Sequence, residues 1–210
     1  MTRYNLNALG ITEFEHLFQS LLKKIIGPGT VTFGTGPDGG REATYFGTAD
    51  YPSLSNRWQG YWIFRAKFHD TTNDLSGARE RILVDLQTEL TKITQKYKHR
   101  CDNYVFCTNV PLSSVDQKGT HDRIEKIAKG FKSTIKNIAI WGYDDVCRHI
   151  DNSEDIRHAF LSLILPGDVL SNLISEKDKS HFSDLKENVI LPLVYYLENA
   201  SYELPSIDND

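Results

Sequence analysis

The sequence contains few cysteines, and their spacing argues against two common ways of stabilising a fold. Cys101, Cys107 and Cys147 are the three cysteines among 210 residues, and no two of them form a Cys-x-x-Cys motif. An odd number of scattered cysteines indicates reduced thiols rather than a disulfide framework or a structural zinc site. Reduced thiols in turn predict a cytoplasmic protein.

Several other sequence signals are missing. No apolar run reaches the roughly 18–20 residues that a membrane-spanning helix needs, and the first residues lack the charged start and apolar segment of a signal peptide. The sequence contains no HExxH, GxSxG or Walker A motif. We therefore do not expect zinc-hydrolase, serine-hydrolase or P-loop NTPase chemistry in this chain.

The net charge of −4 is unevenly distributed along the chain. Residues 1–150 carry 20 Lys or Arg and 16 Asp or Glu, a net of +4, whereas residues 151–210 carry 4 and 12, a net of −8. A mildly basic body is compatible with a nucleic-acid partner. The change in composition predicts one domain at residues 1–165, followed at 166–210 by an acidic helical tail or a linker to a domain outside this chain.

Hydrophobic periodicity predicts alternating helices and strands. An apolar stripe at helical spacing predicts a first helix that begins at Thr12, with Glu15 in the capping-box position. Three strands follow, the last two joined by a connection at Asp50–Trp58. Two later strands, at 103–110 and 136–143, are continuous apolar runs, which is typical of strands buried on both faces. The order α-β-β-β-α-β-α-β, with further helices, predicts an α/β fold with a mixed sheet.

The strand pattern brings together residues that phosphodiester cleavage requires. A divalent metal needs hard oxygen ligands, and a lysine beside it orients the attacking water. Residues i and i+2 of a strand share a face, so Arg65 and Lys67 are predicted to point the same way. Glu42, at the start of the preceding strand, reaches the same place across the ladder. Glu15 approaches from the first helix, and Asp38 lies in the glycine turn before Glu42.

Three segments carry a resemblance to a known family. The helix FEHLFQSLL, the turn GPDGGREA and the strand WIFRAKFH resemble the PD-(D/E)xK restriction-endonuclease-like nucleases. They are most similar to the Mrr-type branch, in which a G-x-D-G-G-x-[DE] turn precedes a strand ending in Q-x-K. The segments CTNVPLS and WGYDDVCRHID also resemble the nuclease modules at the N-terminus of bacterial antiviral STAND NTPases. The resemblance covers roughly residues 8–165 and implies a restriction-endonuclease-like sheet with flanking helices.

The resemblance also implies roles for individual residues. Glu42 takes the position of the metal-binding acid at the strand start, and Lys67 that of the catalytic lysine. Glu15 matches the acid of the first helix that assists metal binding. Asp38, the first acid of the glycine turn, either binds a second metal or shapes the loop. The carbonyl of Ala66 completes the implied metal ligands.

Arg65 departs from the family pattern. It stands where a Glu, Asp or Gln normally binds metal, and a guanidinium cannot coordinate a cation. Three interpretations stay open: the metal relies on the remaining ligands, Arg65 contacts phosphate together with Arg41, or the site is weakened or inactive.

The resulting hypothesis is a Mg²⁺- or Mn²⁺-dependent endonuclease that cleaves double-stranded DNA with little sequence specificity, in anti-phage defence. Because cleavage of both strands needs two active sites, we expect a dimer or tetramer. The resemblance further implies fusion to a STAND NTPase and sensor region. The alternatives are a module of the same fold that binds nucleic acid or assembles oligomers without chemistry, and an effector that cleaves RNA.

Overall fold

A five-stranded mixed sheet organises the chain. The computed structural model describes residues 3–34 and 41–160. The strands are β1 (Val31–Thr32), β2 (Ala43–Ser53), β3 (Asn56–Lys67), β4 (Asn103–Thr108) and β5 (Asn137–Trp141). The helices are α1 (Gly10–Ile25), α2 (Leu75–Thr91), α3 (Thr120–Gly130), α4 (Tyr143–Asp151) and α5 (Glu154–Ala159), with a 3-10 turn at Leu6–Leu9 and a π-helical turn at Lys92–Lys96. Asp38 and the predicted segment 166–210 lie outside the described residues.

The strands lie in the order in which they occur in the chain. β1, β2 and β3 are antiparallel neighbours, whereas β3, β4 and β5 run parallel. Parallel neighbours need a crossover, and α2 and α3 supply the two crossovers. The prediction of an α/β fold with a mixed sheet is confirmed. Because β2 is antiparallel to β3, its first residues lie at the edge where β3 ends.

The alternation of side chains along β3 separates two cores. Trp62, Phe64 and Ala66 belong to the core that α1 and α4 cover. Ile63 belongs to the core on the other face, which α2 and α3 cover. Successive strand residues point to opposite faces, so Arg65 and Lys67 lie on the α2 face with Ile63.

The first helix begins earlier than the sequence predicts. α1 starts at Gly10, directly after the 3-10 turn, so Thr12 lies inside the helix and does not cap it. The buried residues Leu6 and Leu9 continue the apolar surface of α1 towards the N-terminus and anchor this earlier start. The capping-box explanation for Glu15 is therefore wrong.

The predicted connection at Asp50–Trp58 is also wrong, because β2 and β3 form one long hairpin through it. β2 continues to Ser53 and β3 begins at Asn56. Pro52 lies within β2 although a proline cannot donate to a ladder. The pairing instead shifts register between Ala49 and Pro52, and such an irregularity accommodates a proline within a strand.

None of the helices in the described part of the chain combines the length and apolarity needed to cross a membrane.

Candidate functional site

Glu42 enters the sheet opposite Arg65. Its backbone N–H donates to the carbonyl of Phe64, which fixes the residue just before the start of β2, beside β3. Its carboxylate is buried, with 8% of the side chain exposed, and its Oε1 lies 2.6 Å from a terminal nitrogen of Arg65. The predicted meeting of Glu42 with this face of β3 is observed, and a charged pair makes the contact.

A second buried carboxylate, Glu89, reaches the same arginine from α2. Its side chain is 2% exposed, and its Oε2 lies 3.6 Å from Nε of Arg65. Its Oε1 lies 3.6 Å from Nζ of Lys67 and accepts a hydrogen bond of 2.9 Å from Lys92. Sequence reasoning missed Glu89 and Lys92.

We call Glu42, Arg65, Lys67, Glu89 and Lys92 the charge cluster. It joins the start of β2, the end of β3, the last turn of α2 and the π-helical turn that follows α2. Two carboxylates face three cationic side chains, so the cluster carries one net positive charge. Burial in this low-dielectric environment strengthens the attraction between opposite charges. Removal of one member would leave the remaining charges buried without full compensation, which is strongly destabilising.

Tyr104 on β4 pairs with Ile63 of β3 and belongs to the same core on the α2 face. Its side chain is fully buried on the α2 face, and its hydroxyl has no hydrogen-bond partner among the described residues. Burial raises the pKa of the phenol well above its usual value; the negative charge of Glu89 raises it further, and Arg65 lowers it. Tyr104 therefore stays neutral, and its hydroxyl keeps its proton.

A histidine and an aspartate form a pair beside the cluster. Nε2 of His69 lies 2.7 Å from Oδ2 of Asp85, which precedes Glu89 by one helical turn. Asn109 holds the His69 backbone by accepting from its N–H and donating to its carbonyl. Burial raises the pKa of Asp85, but the hydrogen bond and charge of His69, with the charges of Lys67 and Lys92, outweigh burial and lower it.

The other predicted site residues lie apart from the charge cluster or outside the described residues. α1 covers the opposite face of β3, and Glu15, half-buried on α1, makes no hydrogen bond or ion pair with the cluster among the described residues. The guanidinium of Arg41 stacks over the ring of Phe33 at 5.2 Å. Ala66 points its side chain into the α1 core. The structure does not describe Asp38.

The metal hypothesis depends on whether Glu42 and Glu89 can bind a divalent cation. Across residues 3–34 and 41–160, no three His, Cys, Asp or Glu side chains are grouped so as to hold a metal ion. Glu42 and Glu89 supply hard oxygen donors of the type that Mg²⁺ prefers. One oxygen of Glu89 is buried without a hydrogen bond in the described part of the chain. The donor types fit a divalent cation, but Arg65 now contacts both carboxylates.

A sequence signal for Glu89 was present. Ile82, Leu86 and Ile93 form the buried stripe of the α2 region, and Glu89 lies at helical spacing within it. A carboxylate on an apolar stripe is costly to bury unless it has a partner.

In comparisons of the whole sequence and structure with known proteins, no family model, no curated protein and no solved structure matches this chain.

Proposed function

We propose that the chain is a metal-dependent endonuclease that hydrolyses phosphodiester bonds in double-stranded DNA at the charge cluster. The observation that carries this proposal is the connected set of contacts from Glu42 through Arg65 and Glu89 to Lys67. Acid and lysine come from adjacent strands and share one face at the end of β3, as the nuclease hypothesis requires. The net positive charge of the cluster also suits a phosphate.

The cluster residues have distinct tasks in this proposal. Glu42 would hold Mg²⁺ or Mn²⁺, with Asp38 and the Ala66 carbonyl as the remaining ligands implied by the family resemblance. The bound ion would polarise the phosphate and lower the pKa of the attacking water. Lys67, with 25% of its side chain exposed, can donate to a phosphate oxygen and orient that water. Arg65 would turn from Glu42 to phosphate, where its planar donors form paired hydrogen bonds.

The wider setting is part of the proposal. Cleavage of both strands requires two copies of the site, so a dimer or tetramer is the expected active form. The resemblance to the nuclease modules of antiviral STAND NTPases supports a role in anti-phage defence, with this chain as the cleaving part and a further NTPase and sensor region as the trigger. A cytoplasmic location agrees with the reduced cysteines.

Plasmid cleavage tests the proposal. Supercoiled DNA is incubated with the wild-type protein and Mg²⁺ or Mn²⁺, in parallel with Lys67→Ala and with Lys129→Ala, an exposed lysine of α3. Lys67→Ala should lower the cleavage rate about 10²–10³-fold because transition-state charge loses a donor, whereas Lys129→Ala should cleave like wild type. Equal activity of Lys67→Ala and wild type would contradict the site. Faster cleavage of RNA would identify an RNA-cleaving effector.

A second candidate function is nucleic-acid binding without cleavage. The 2.6 Å contact between Arg65 and Glu42 favours it, because the arginine already neutralises the acid that should bind metal. Arg65→Gln discriminates the two functions. If wild type binds DNA without nicking it and Arg65→Gln nicks it, the site is a weakened nuclease. If both variants bind and neither nicks, binding is the function.

A further inference from the structure

The position of Glu89 is unusual for a residue with only a structural role. It lies on the buried side of α2, beside Leu86 and Leu90, and it is 1% exposed. A single lysine, Lys92, already forms a direct hydrogen bond to its Oε1. Arg65 and Lys67 approach the same carboxylate from β3. Three cations therefore converge on one buried acid.

Two oxygen atoms near this point lack hydrogen bonds within the described residues. They are Oε2 of Glu89 and the hydroxyl of Tyr104, both shielded from solvent. Nε of Arg65 also lacks a hydrogen bond within the described residues, and it lies 3.6 Å from Oε2 of Glu89. Buried polar atoms normally have a hydrogen-bond partner, so this loosely paired oxygen is an exception that needs an explanation.

Arg65 explains why a second acid is needed. It lies at the strand position next to Lys67 on the α2 face, and its positive charge cannot ligate a cation. Its guanidinium instead contacts Glu42 and Glu89 together. A dication near both carboxylates would be repelled by this guanidinium, so the two cations compete for one place.

We propose that Glu89 supplies the second metal-binding carboxylate of the site, the role that Arg65 cannot take, and that Arg65 and a divalent cation are alternative partners of Glu42 and Glu89. This inference rests on the proposed metal-dependent function. It adds a helix residue as ligand and makes Arg65 the counter-ion of the site when no divalent cation is bound.

Isothermal titration calorimetry with Mn²⁺ alone tests this inference without DNA. The variants are wild type, Arg65→Gln, Arg65→Gln with Glu89→Gln, and Arg65→Gln with Glu80→Gln. Glu80 is the matched control because it lies on the same helix, is exposed and pairs with Arg123. Arg65→Gln should bind Mn²⁺ at least about tenfold more tightly than wild type, because a repelling charge is removed. The added Glu89→Gln change should cancel this gain, and the added Glu80→Gln change should leave it.

A second variant keeps the test decisive if Glu89→Gln fails to fold. Glu89→Asp keeps the buried charge and withdraws the carboxylate by one methylene, and in the Arg65→Gln background it should weaken Mn²⁺ binding about tenfold. Circular dichroism confirms folding of each variant. Unchanged Mn²⁺ affinity on changing Glu89 would overturn its assignment, and equal affinity or no binding in wild type and Arg65→Gln would overturn the competition. If Mn²⁺ binding depends on Glu89 and no plasmid is cleaved, this inference stands and the nuclease function is refuted. If the plasmid is cleaved and Mn²⁺ binding does not depend on Glu89, the nuclease function stands and this inference is refuted.

Discussion

The two faces of β3 use the same strand in different ways. Towards α1, Trp62, Phe64 and Ala66 are all almost fully buried in an apolar core. Towards α2, partly buried Tyr61 and buried Ile63 are followed by Arg65 and Lys67 at the end of the strand. From Trp62 to Ala66 the α1 face is apolar, whereas the α2 face changes from apolar to charged residues where the strand ends.

The two faces differ most at the end of β3, where the charged residues of the α2 face lie. The carboxyl ends of parallel strands are common ligand positions in open α/β sheets. Arg65 and Lys67 lie at that end of β3, and their carboxylate partners come from two other elements. A buried charged group costs folding free energy unless it is partnered, and these carboxylates supply the partners.

The largest loss of folding stability should come from a substitution on the apolar α1 face of β3. Phe64→Ala removes a fully buried ring and should lower the free energy of unfolding by about 3–5 kcal/mol. The charge cluster on the other face should keep its contacts. Urea denaturation measures the loss, and DNA affinity per folded molecule should stay within about twofold of wild type. A loss below about 1 kcal/mol would show that the α1 face is less tightly packed than described.

A somewhat smaller effect should come from the buried acid of the α2 face. Glu89→Ala leaves Arg65, Lys67 and Lys92 with less compensation and should lower the free energy of unfolding by about 3 kcal/mol. The same substitution at exposed Glu80 should change it by less than about 1 kcal/mol. Chemical denaturation compares the two variants. Equal losses of the free energy of unfolding would mean that the ion pairs of Glu89 contribute no more to stability than those of a surface acid.

The strand register could be predicted from the sequence, and the partners could not. Alternation along β3 places Arg65 and Lys67 on one face, and the start of β2 brings Glu42 to them, both as predicted. A lysine in an apolar strand needs a partner, and Lys67 has that partner in Glu89 on α2. Helical periodicity indicates that Glu89 is buried, but which cation it meets depends on how α2 packs on the sheet, and periodicity does not encode that packing.

The limits of local signals also explain the errors. Thr12 has the chemistry of a helix cap, but buried residues before it continue the apolar surface of α1 and start the helix earlier. Pro52 resembles a strand breaker, but an irregularity in the β2–β3 hairpin accommodates it. In both cases tertiary packing outweighs a local preference.

The smallest predicted effect concerns the pair beside the cluster. Because the pKa of Asp85 is lowered in the folded state, its contribution to stability is present above the pKa of an unfolded aspartate, about 3.9, and is lost as pH falls through the folded pKa. Asp85→Asn should therefore lower the free energy of unfolding by about 1 kcal/mol at pH 7, and the difference should shrink in acid. Urea midpoints at pH 7 and in acid check this. A constant difference across this range would contradict the assigned pairing with His69.

The central claim is that nucleic-acid phosphates bind at the charge cluster, and a binding measurement tests it directly. Fluorescence anisotropy follows a short duplex DNA in EDTA, over a range of salt concentrations. The double variant Lys67→Ala, Lys92→Ala should bind the duplex at least about tenfold more weakly than wild type. The slope of log affinity against log salt concentration should fall by about two, because two phosphate contacts are lost. The matched pair Lys23→Ala with Lys24→Ala, both exposed on α1, should bind like wild type. Wild-type affinity of the Lys67 and Lys92 pair, or an equal loss in the α1 pair, would contradict the account.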